Sequence, residues 1–161
     1  MMKKFWTRLA VLVLLLGINY GADQYSKQWA REALAEDVRY SYFNDLAHLQ
    51  LAENHGAFLS AGSNLKGGWH LVFLKILPLL VLVGMIIYLL ASNSFSTGQF
   101  VSLACVLGGG LGNVLDRIQF GSVTDFMILS YGDIHTGIFN VADLSITCGL
   151  IAFVIFSIRS N

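Results

Sequence analysis

The chain alternates long apolar runs with polar connecting segments, and the lengths of these runs predict the elements. Four stretches are almost unbroken in hydrophobic residues: about 5–22, 71–91, 98–118 and 138–158. A helix needs roughly 20 apolar residues to cross a hydrocarbon core about 30 Å thick. The pattern therefore predicts an all-α membrane protein with four transmembrane helices, a single polytopic domain over 1–161 with outer segments at 24–69 and 119–137.

The two outer segments carry weaker patterns of their own. Residues 26–36 place Trp29 and Leu34 at helical spacing, which predicts an amphipathic helix lying in the headgroup plane. Later in this segment apolar residues alternate with turn residues, which predicts short strands, and residues 119–137 predict one or two more. A segment of about 46 residues is too small for its own core, so we expect it to pack on the helix ends.

Composition agrees with a membrane protein. Of the 161 residues, 55% are hydrophobic and 12% are charged, and the mean hydropathy is +0.64. Soluble domains have about 25% charged residues. The formal net charge of +0 offers no basic surface, and the aromatic residues lie in aliphatic runs instead of between Lys and Arg. Nucleic-acid binding is therefore excluded, and membrane lipid is the expected surrounding.

The positive charges near the start of the chain suggest its orientation. Four spans place both termini on one side, and Lys3, Lys4 and Arg8 indicate that this side is cytoplasmic. The first outer segment weakens the charge bias, because it also carries four cations: Lys27, Arg31, Arg39 and Lys66. A basic tip before an apolar run is also typical of a secretory signal peptide. Tyr20 stands where a cleavage site needs a small residue, so we expect this segment to remain as the first span.

Several polar residues fall at the outer ends of the spans in this orientation. Asp23 and Lys27 have the spacing of a local helical ion pair, worth about 0.3–0.5 kcal/mol if exposed. Asn113 and Arg117 share one helix face, although Arg117 could also extend to the membrane interface or pair with the adjacent Asp116. These residues therefore allow both a structural and a functional interpretation.

Small and nucleophilic residues give less specific signals. Gly108 and Gly112 have the small-xxx-small spacing that lets helices approach closely, and Gly108 is also counted among the expected supporting residues of the site. Cys105 and Cys148 lie within apolar spans and are interpreted as packing residues. A Ser/Lys hydrolase stays open as an alternative, because serines lie near lysines in the first outer segment: Ser26, Ser60 and Ser63 beside Lys27 or Lys66.

The four histidines are scattered and form no metal-binding motif. None has the spacing of HExxH or of a comparable zinc site, and they occur in outer segments: His48, His55, His70 and His135. We therefore expect neither a metal site nor a cofactor.

Asp125 and Asp143 are the acids that most clearly suggest chemistry. A carboxylate costs roughly 2.5–3.5 kcal/mol at the centre of a membrane helix, so acids bordering the spans indicate function. Two carboxylates in a partly dry site repel each other, which raises one pKa and lets the pair hold a single proton. Such a pair can activate water for attack on a peptide carbonyl without a metal. The sequence equally allows both acids to cap helix ends or to pair with Arg117.

Four ordered blocks resemble those of one enzyme family, lipoprotein signal peptidase, also called signal peptidase II. "GNVLDRIQFGSVTDF" (112–126) and "FNVADLSI" (139–146) are similar to its two hallmark blocks, and "DQYSK" (23–27) and "ENHGAF" (53–58) to its two upstream blocks. The block at 53–58 departs from the family pattern, in which another small residue usually separates the alanine from the aromatic residue, because here Phe58 directly follows Ala57. The resemblance covers nearly the whole chain.

The resemblance implies an aspartyl endopeptidase of the bacterial inner membrane. Its substrate would be a diacylglyceryl-modified prolipoprotein, cut just before the lipidated cysteine at the outer, periplasmic face. It also implies a small outer β-cradle and an interfacial helix. Asp125 and Asp143 would form the catalytic dyad. The matching positions also include supporting or substrate-contacting residues: Asp23, Lys27, Asn54, Gly56, Asn113, Arg117 and Asn140.

An alternative from another class is a small transporter or channel subunit that uses Asp125 and Asp143 as a proton relay. Transporter sites tend to lie near the midplane between inverted repeats. The sequence shows no repeat, and its acids collect toward one face. Cleavage of a lipidated precursor would separate the two functions.

Overall fold

The structure is a computed structural model that describes the backbone of residues 2–56 and 67–159 and the side chains of 4–56 and 67–159. The helical elements are α1 (Met2–Ala33), α2 (Gly68–Leu71), a π-helical turn (Val72–Ile76), α3 (Leu77–Ala91), α4 (Thr97–Gln119) and α5 (Val141–Arg159). The strands are β1 (Tyr40–Tyr42), β2 (Ala47–Asn54), β3 (Val123–Tyr131) and β4 (Ile134–His135). Five residues discussed above, Ala57, Phe58, Ser60, Ser63 and Lys66, lie outside the described residues.

Within the described residues, four helices are long and apolar enough to cross a membrane. They are Lys4–Ala33, Gly68–Ala91, Thr97–Gln119 and Val141–Arg159. The prediction of four membrane helices is confirmed. So is that of short strands in both outer segments, although the strands join into one small antiparallel sheet.

The first helix runs farther than the sequence pattern predicts. α1 continues without a break through Asp23 to Ala33, so the separate helix expected over 26–36 is not formed. Its 32 residues span about 48 Å at 1.5 Å per residue, well beyond a hydrocarbon core of about 30 Å. The helix is extended by tertiary contacts, because Ala30 and Leu34 are buried against Phe126 of the sheet and this packing stabilises the last turns of α1.

The second span begins with an irregular turn that accommodates a proline. Pro78 lies in the first turn of α3, directly after the π-helical turn. Proline lacks a backbone N–H and its ring clashes with the carbonyl four residues earlier. The wider π-helical turn relieves this conflict, so the span is irregular just before Pro78.

The sheet joins the two outer segments and fixes the position of Asp125. Its strand order is β1-β2-β3-β4, and all neighbouring strands are antiparallel. Between β2 and β3, Ala52 lies opposite Asp125 and Asn54 opposite Val123. The register shifts between Leu49 and Ala52, which marks a bulge close to the acid. Asp125 is therefore held by a paired strand and not by a flexible loop.

Helix α4 is the most enclosed span, and its glycines allow close helix contacts. A Cβ on Gly108 would lie 2.6 Å from the Asn19 side chain of α1. A Cβ on Gly109 would contact the backbone carbonyl oxygen of Ala142 in α5. The packing role predicted for Gly108 is therefore supported by its neighbours, and Gly109 performs the same role toward α5.

We expect Gly109→Ala to lower the free energy of unfolding by about 1–3 kcal/mol, because overpacking forces the backbone at Ala142 to move. Gly84→Ala is the matched control in α3, where an added Cβ meets nothing within 4 Å. Thermal unfolding in detergent measures both variants. Equal unfolding temperatures would contradict the close contact between α4 and α5.

Candidate active site

Asp125 and Asp143 reach one cavity from different elements. Asp125 is the third residue of β3 and is 3% exposed, whereas Asp143 lies in the first turn of α5 and is half-buried. The cavity has a volume of about 660 Å³, and Asn54, Asn113 and Arg117 also line it. The structure thus brings both acids and three of the predicted supporting residues to a single site.

Side-chain amides hold both carboxylates. Asn54 Nδ2 donates to Asp125 Oδ2 at 3.0 Å, and Asn140 Nδ2 donates to Asp125 Oδ1 at 2.6 Å. Asn113 Nδ2 donates to Asp143 Oδ1 at 2.8 Å. Since each carboxylate receives at least one amide donor, the orientation of both acids is fixed without a directly bonded cation.

Asn140 and Asp143 also form a reciprocal cap at the start of α5. The Asp143 backbone N–H donates to Asn140 Oδ1 at 2.9 Å, and the Asn140 backbone N–H donates to Asp143 Oδ2 at 3.2 Å. This is the arrangement of a capping box, with Asn and Asp in the two roles. The structural interpretation of Asp143 as a helix cap is therefore correct, but Asp125 caps no helix.

Burial changes the protonation of Asp125. Removal from water, together with the nearby charge of Asp143, raises its pKa to about 6, although hydrogen bonds from Asn54 and Asn140 act to lower it. An ordinary aspartate has a pKa near 3.8. Asp125 can therefore keep a proton over a pH range in which a solvated carboxylate has already lost it, as a general acid requires.

Arg117 contacts Gly56, two residues beyond β2, instead of Asp116. Its Nε and Nη2 donate to the carbonyl oxygen of Gly56 at 3.1 and 2.7 Å, and Nη1 donates to the Asn113 carbonyl at 3.2 Å. The alternative that paired Arg117 with Asp116 is wrong. The guanidinium instead places a positive charge on the cavity wall and ties Gly56 to the site.

A buried ion cluster lies behind the cavity. Lys27 is 0% exposed, and its Nζ donates to Asp23 Oδ2 at 2.6 Å and to Asp116 Oδ2 at 2.6 Å. The interpretation of Asp23 and Lys27 as an exposed local pair is therefore wrong, because α4 covers them and supplies a second carboxylate. Gln24 Nε2 completes the cluster by donating to Asp116 Oδ1 at 2.7 Å.

The ion cluster is joined to the acid pair through Asn113. Lys27 Nζ donates to Asn113 Oδ1 at 3.0 Å, and Asn140 Nδ2 donates to the same oxygen at 3.2 Å. With its oxygen held by two donors, Asn113 must turn its amide nitrogen toward Asp143. Asp23 Oδ1 also accepts from the backbone N–H of Ala142 at 3.0 Å, so the cluster holds the first turn of α5 as well.

The predicted site residues therefore fall into two layers. Asp125, Asp143, Asn54, Asn113 and Arg117 line the cavity, whereas four others support these residues from behind or beside them: Asn140, Gly56, Asp23 and Lys27. The remaining residue, Gly108, faces α1 and does not line the cavity.

Sequence reasoning missed Asp116 and Gln24 as members of the buried cluster. The available signal was the spacing of Asp116, three residues after Asn113 and hence on a neighbouring helix face.

Across residues 2–56 and 67–159, no group of three or more His, Cys, Asp or Glu side chains is placed to hold a metal ion. Of the Ser/Lys candidates within this range, Ser26 donates to the Asp23 carbonyl and Lys27 is fully ion-paired.

Comparisons with known proteins agree on one family. A sequence model described as "Signal peptidase (SPase) II" matches residues 11–159. The lipoprotein signal peptidase of Hydrogenovibrio crunogenus is 36% identical, over 92% of this chain and 82% of that protein. The lipoprotein signal peptidase of Dichelobacter nodosus is 35% identical, over 93% of this chain and 95% of that protein.

Solved structures share the fold. A bacterial membrane enzyme determined by the in meso method at 1.9 Å resolution superposes with a TM-score of 0.80 and 22% identity, over 94% of this chain and 95% of that one. A second, at 2.3 Å, gives a TM-score of 0.79. The extent of the family match, together with relatives above 30% identity along most of their length, means that the chain belongs to the signal peptidase II family.

Proposed function

We propose that this membrane protein is an aspartyl endopeptidase that cuts a prolipoprotein immediately before its diacylglyceryl-modified cysteine. The observation that carries the proposal is that Asp125 of β3 and Asp143 of α5 line one cavity, each oriented by side-chain amides. Membership of the signal peptidase II family agrees with this chemistry. A proton relay in a transporter is not favoured, because the family is a peptidase family.

The acid pair would supply both an acid and a base. When the two carboxylates share one proton, the ionised member accepts a proton from a water, and the resulting hydroxide attacks the scissile carbonyl carbon. The protonated member donates to the carbonyl oxygen as negative charge develops there. Collapse of the tetrahedral intermediate breaks the C–N bond, and a proton from the pair goes to the leaving amine. Neither step needs a covalent enzyme intermediate.

The surrounding polar groups would keep this pair in position and stabilise charge. Asn54, Asn113 and Asn140 are neutral donors, so they orient the carboxylates without neutralising them. Arg117 would place its positive charge near the developing oxyanion, in a cavity where electrostatic stabilisation is stronger than in water. Lys27, Asp23 and Asp116 would act indirectly, by fixing Asn113 and the start of α5.

We place the protein in the bacterial inner membrane with both termini in the cytoplasm and the acid pair at the periplasmic face. The basic residues at the start of the chain support this orientation. The end of α1 and the sheet would then form the outer cradle, close to the outer headgroups. A lipidated substrate remains anchored in the bilayer, so its scissile bond would reach the acids without leaving the membrane.

The direct test is cleavage by the purified protein in detergent. A precursor bearing diacylglyceryl-cysteine should yield two products, with the lipidated cysteine as the new N-terminus. The same precursor without lipid should be cut far more slowly. Absence of cleavage of the lipidated precursor by well-folded protein would overturn the proposed function.

The pH dependence of cleavage should follow the acid pair. Because burial raises the pKa of Asp125 to about 6, its proton is retained below that pH and lost above it. We expect kcat/KM to fall about tenfold per pH unit above the apparent pKa of the pair, and to fall again in acid when both carboxylates are protonated. Substrate binding excludes water and raises the pKa of Asp125 further, so the alkaline limb of kcat should lie at higher pH. A flat profile between pH 5 and 9 would contradict the pair mechanism.

A further inference from the structure

A second, apolar groove lies beside the catalytic cavity on the sheet. Its volume is about 290 Å³, and it is formed by β2, β3, the turn between β1 and β2, and Phe139. Its lining is almost entirely hydrocarbon, with His48 among a set of aliphatic and aromatic side chains. Such a surface suits an apolar ligand and not a peptide backbone or a charged group.

The groove lies next to the catalytic cavity. Leu129 and Phe139 line both spaces, so they form the wall that the two share. Asp125 and Leu129 are four residues apart on β3, which corresponds to about 13 Å at a rise of about 3.3 Å per residue. A ligand bound at the acid pair could therefore extend into the groove if it carried a chain of this length.

The rim of the groove contains an unfavourable backbone conformation. Phe43, Asn44 and Asp45 have φ angles of 54°, 53° and 65°. Asn and Asp tolerate the left-handed region, whereas a bulky residue such as Phe is rare there. Phe43 is nevertheless held in it with 78% of its surface exposed. Strain of this kind persists at sites that clamp ligands, and here it keeps an aromatic ring at the mouth of an apolar groove.

The groove also contains a buried polar atom without a partner. His48 is 6% exposed, and its Nδ1 is the one buried side-chain nitrogen or oxygen in the described part of the chain that makes no hydrogen bond. A buried polar group without a hydrogen-bond partner is energetically unfavourable. An ester carbonyl oxygen is a hydrogen-bond acceptor, and an ester bound at this point would supply the missing partner in the tautomer that carries its hydrogen on Nδ1.

We propose that this groove binds one acyl chain of the substrate's diacylglyceryl group. The inference rests on the proposed function, because that function places the glyceryl ester next to the scissile bond. The acyl chain runs from the catalytic cavity past Leu129 and Phe139 and lies against Phe43 and Ala47. Its ester lies near His48. The groove then supplies the protein contacts through which one acyl chain is recognised.

Soluble lipopeptides of different acyl length test this proposal. Burial of each methylene group corresponds to about a fourfold gain in binding. We expect the wild-type protein to cleave a dioctanoylglyceryl peptide with a kcat/KM at least tenfold above that of the dibutanoyl peptide. Ala47→Phe fills the groove and should bring this ratio close to one. Leu46→Phe adds the same ring at a neighbouring residue outside the groove lining and should keep the wild-type ratio.

A wild-type measurement keeps the test independent of how the variant folds. A photoreactive diazirine near the end of the acyl chain should label the residues of β2 and β3 that line the groove. Labelling of other surfaces only, or equal ratios in wild type and Ala47→Phe, would overturn the groove proposal while leaving cleavage intact. If the wild-type protein cleaves none of these lipopeptides, the proposed function fails first and this inference fails with it.

Discussion

Asp125→Asn and Asp143→Asn should each reduce the rate of cleavage of a lipidated precursor by about 10²–10⁴-fold, the range attributed to general acid–base catalysis. Asparagine keeps the size of aspartate and part of its hydrogen bonding, but it cannot exchange a proton. The double variant should be no worse than the more damaged single variant, because neither acid works without the other. Initial rates at saturating substrate, with folding checked by thermal unfolding, measure the losses.

The control must remove one negative charge without touching the site. Asp133→Asn is suitable, since Asp133 is exposed in the turn between β3 and β4, and it should keep the wild-type rate. Asp116→Asn, which the sequence alone would also suggest, is not suitable because Asp116 is buried against Lys27. If Asp125→Asn cleaves at close to the wild-type rate, Asp125 is not a catalytic acid and the proposed pair is wrong.

The sequence predicts the membrane part of this fold because long apolar runs have few structural solutions. In lipid, a run of about 20 apolar residues must satisfy its backbone internally, and a helix does so. The outer strands follow from alternation and turn residues. What local pattern cannot predict is where a helix ends when tertiary contacts extend it. α1 continues to Ala33 because Ala30 and Leu34 find a buried surface on the sheet, about 90 residues away in sequence.

In the candidate site, too, the sequence predicts some residues from local pattern and misses contacts that depend on tertiary packing. Asp125 and Asp143 stand out because acids next to spans are costly and therefore informative. The partners of Lys27 do not stand out in the same way. Its spacing from Asp23 describes a surface ion pair equally well, and only the position of α4 decides that the ammonium is buried and reaches Asp116. Burial depends on helix packing. The local spacing therefore predicted the pairing of Asp23 with Lys27 correctly, but placed the pair on the surface instead of in the interior.

Lys27→Met should therefore have a large effect on stability. The variant keeps an apolar stem of similar length but removes the ammonium that two buried carboxylates face. Breaking a buried ion pair by removing one partner costs about 3–5 kcal/mol, since the remaining charge stays uncompensated. We expect a clear drop in unfolding temperature in detergent. Lys75→Met is the matched control: Lys75 is half-buried on the π-helical turn and belongs to neither salt bridge found in the described residues.

A second substitution separates the loss of charge balance from the loss of Lys27 itself. Lys27→Met with Asp116→Asn removes one positive and one negative charge, so it should recover part of the stability lost in Lys27→Met. Cleavage should recover less, because the Asn113 oxygen still lacks the Lys27 donor that keeps its amide nitrogen on Asp143. An unchanged unfolding temperature for Lys27→Met would show that the ion cluster is not the buried support of the acid pair. Full recovery of cleavage in the double variant would show that Lys27 contributes charge alone and does not orient Asn113.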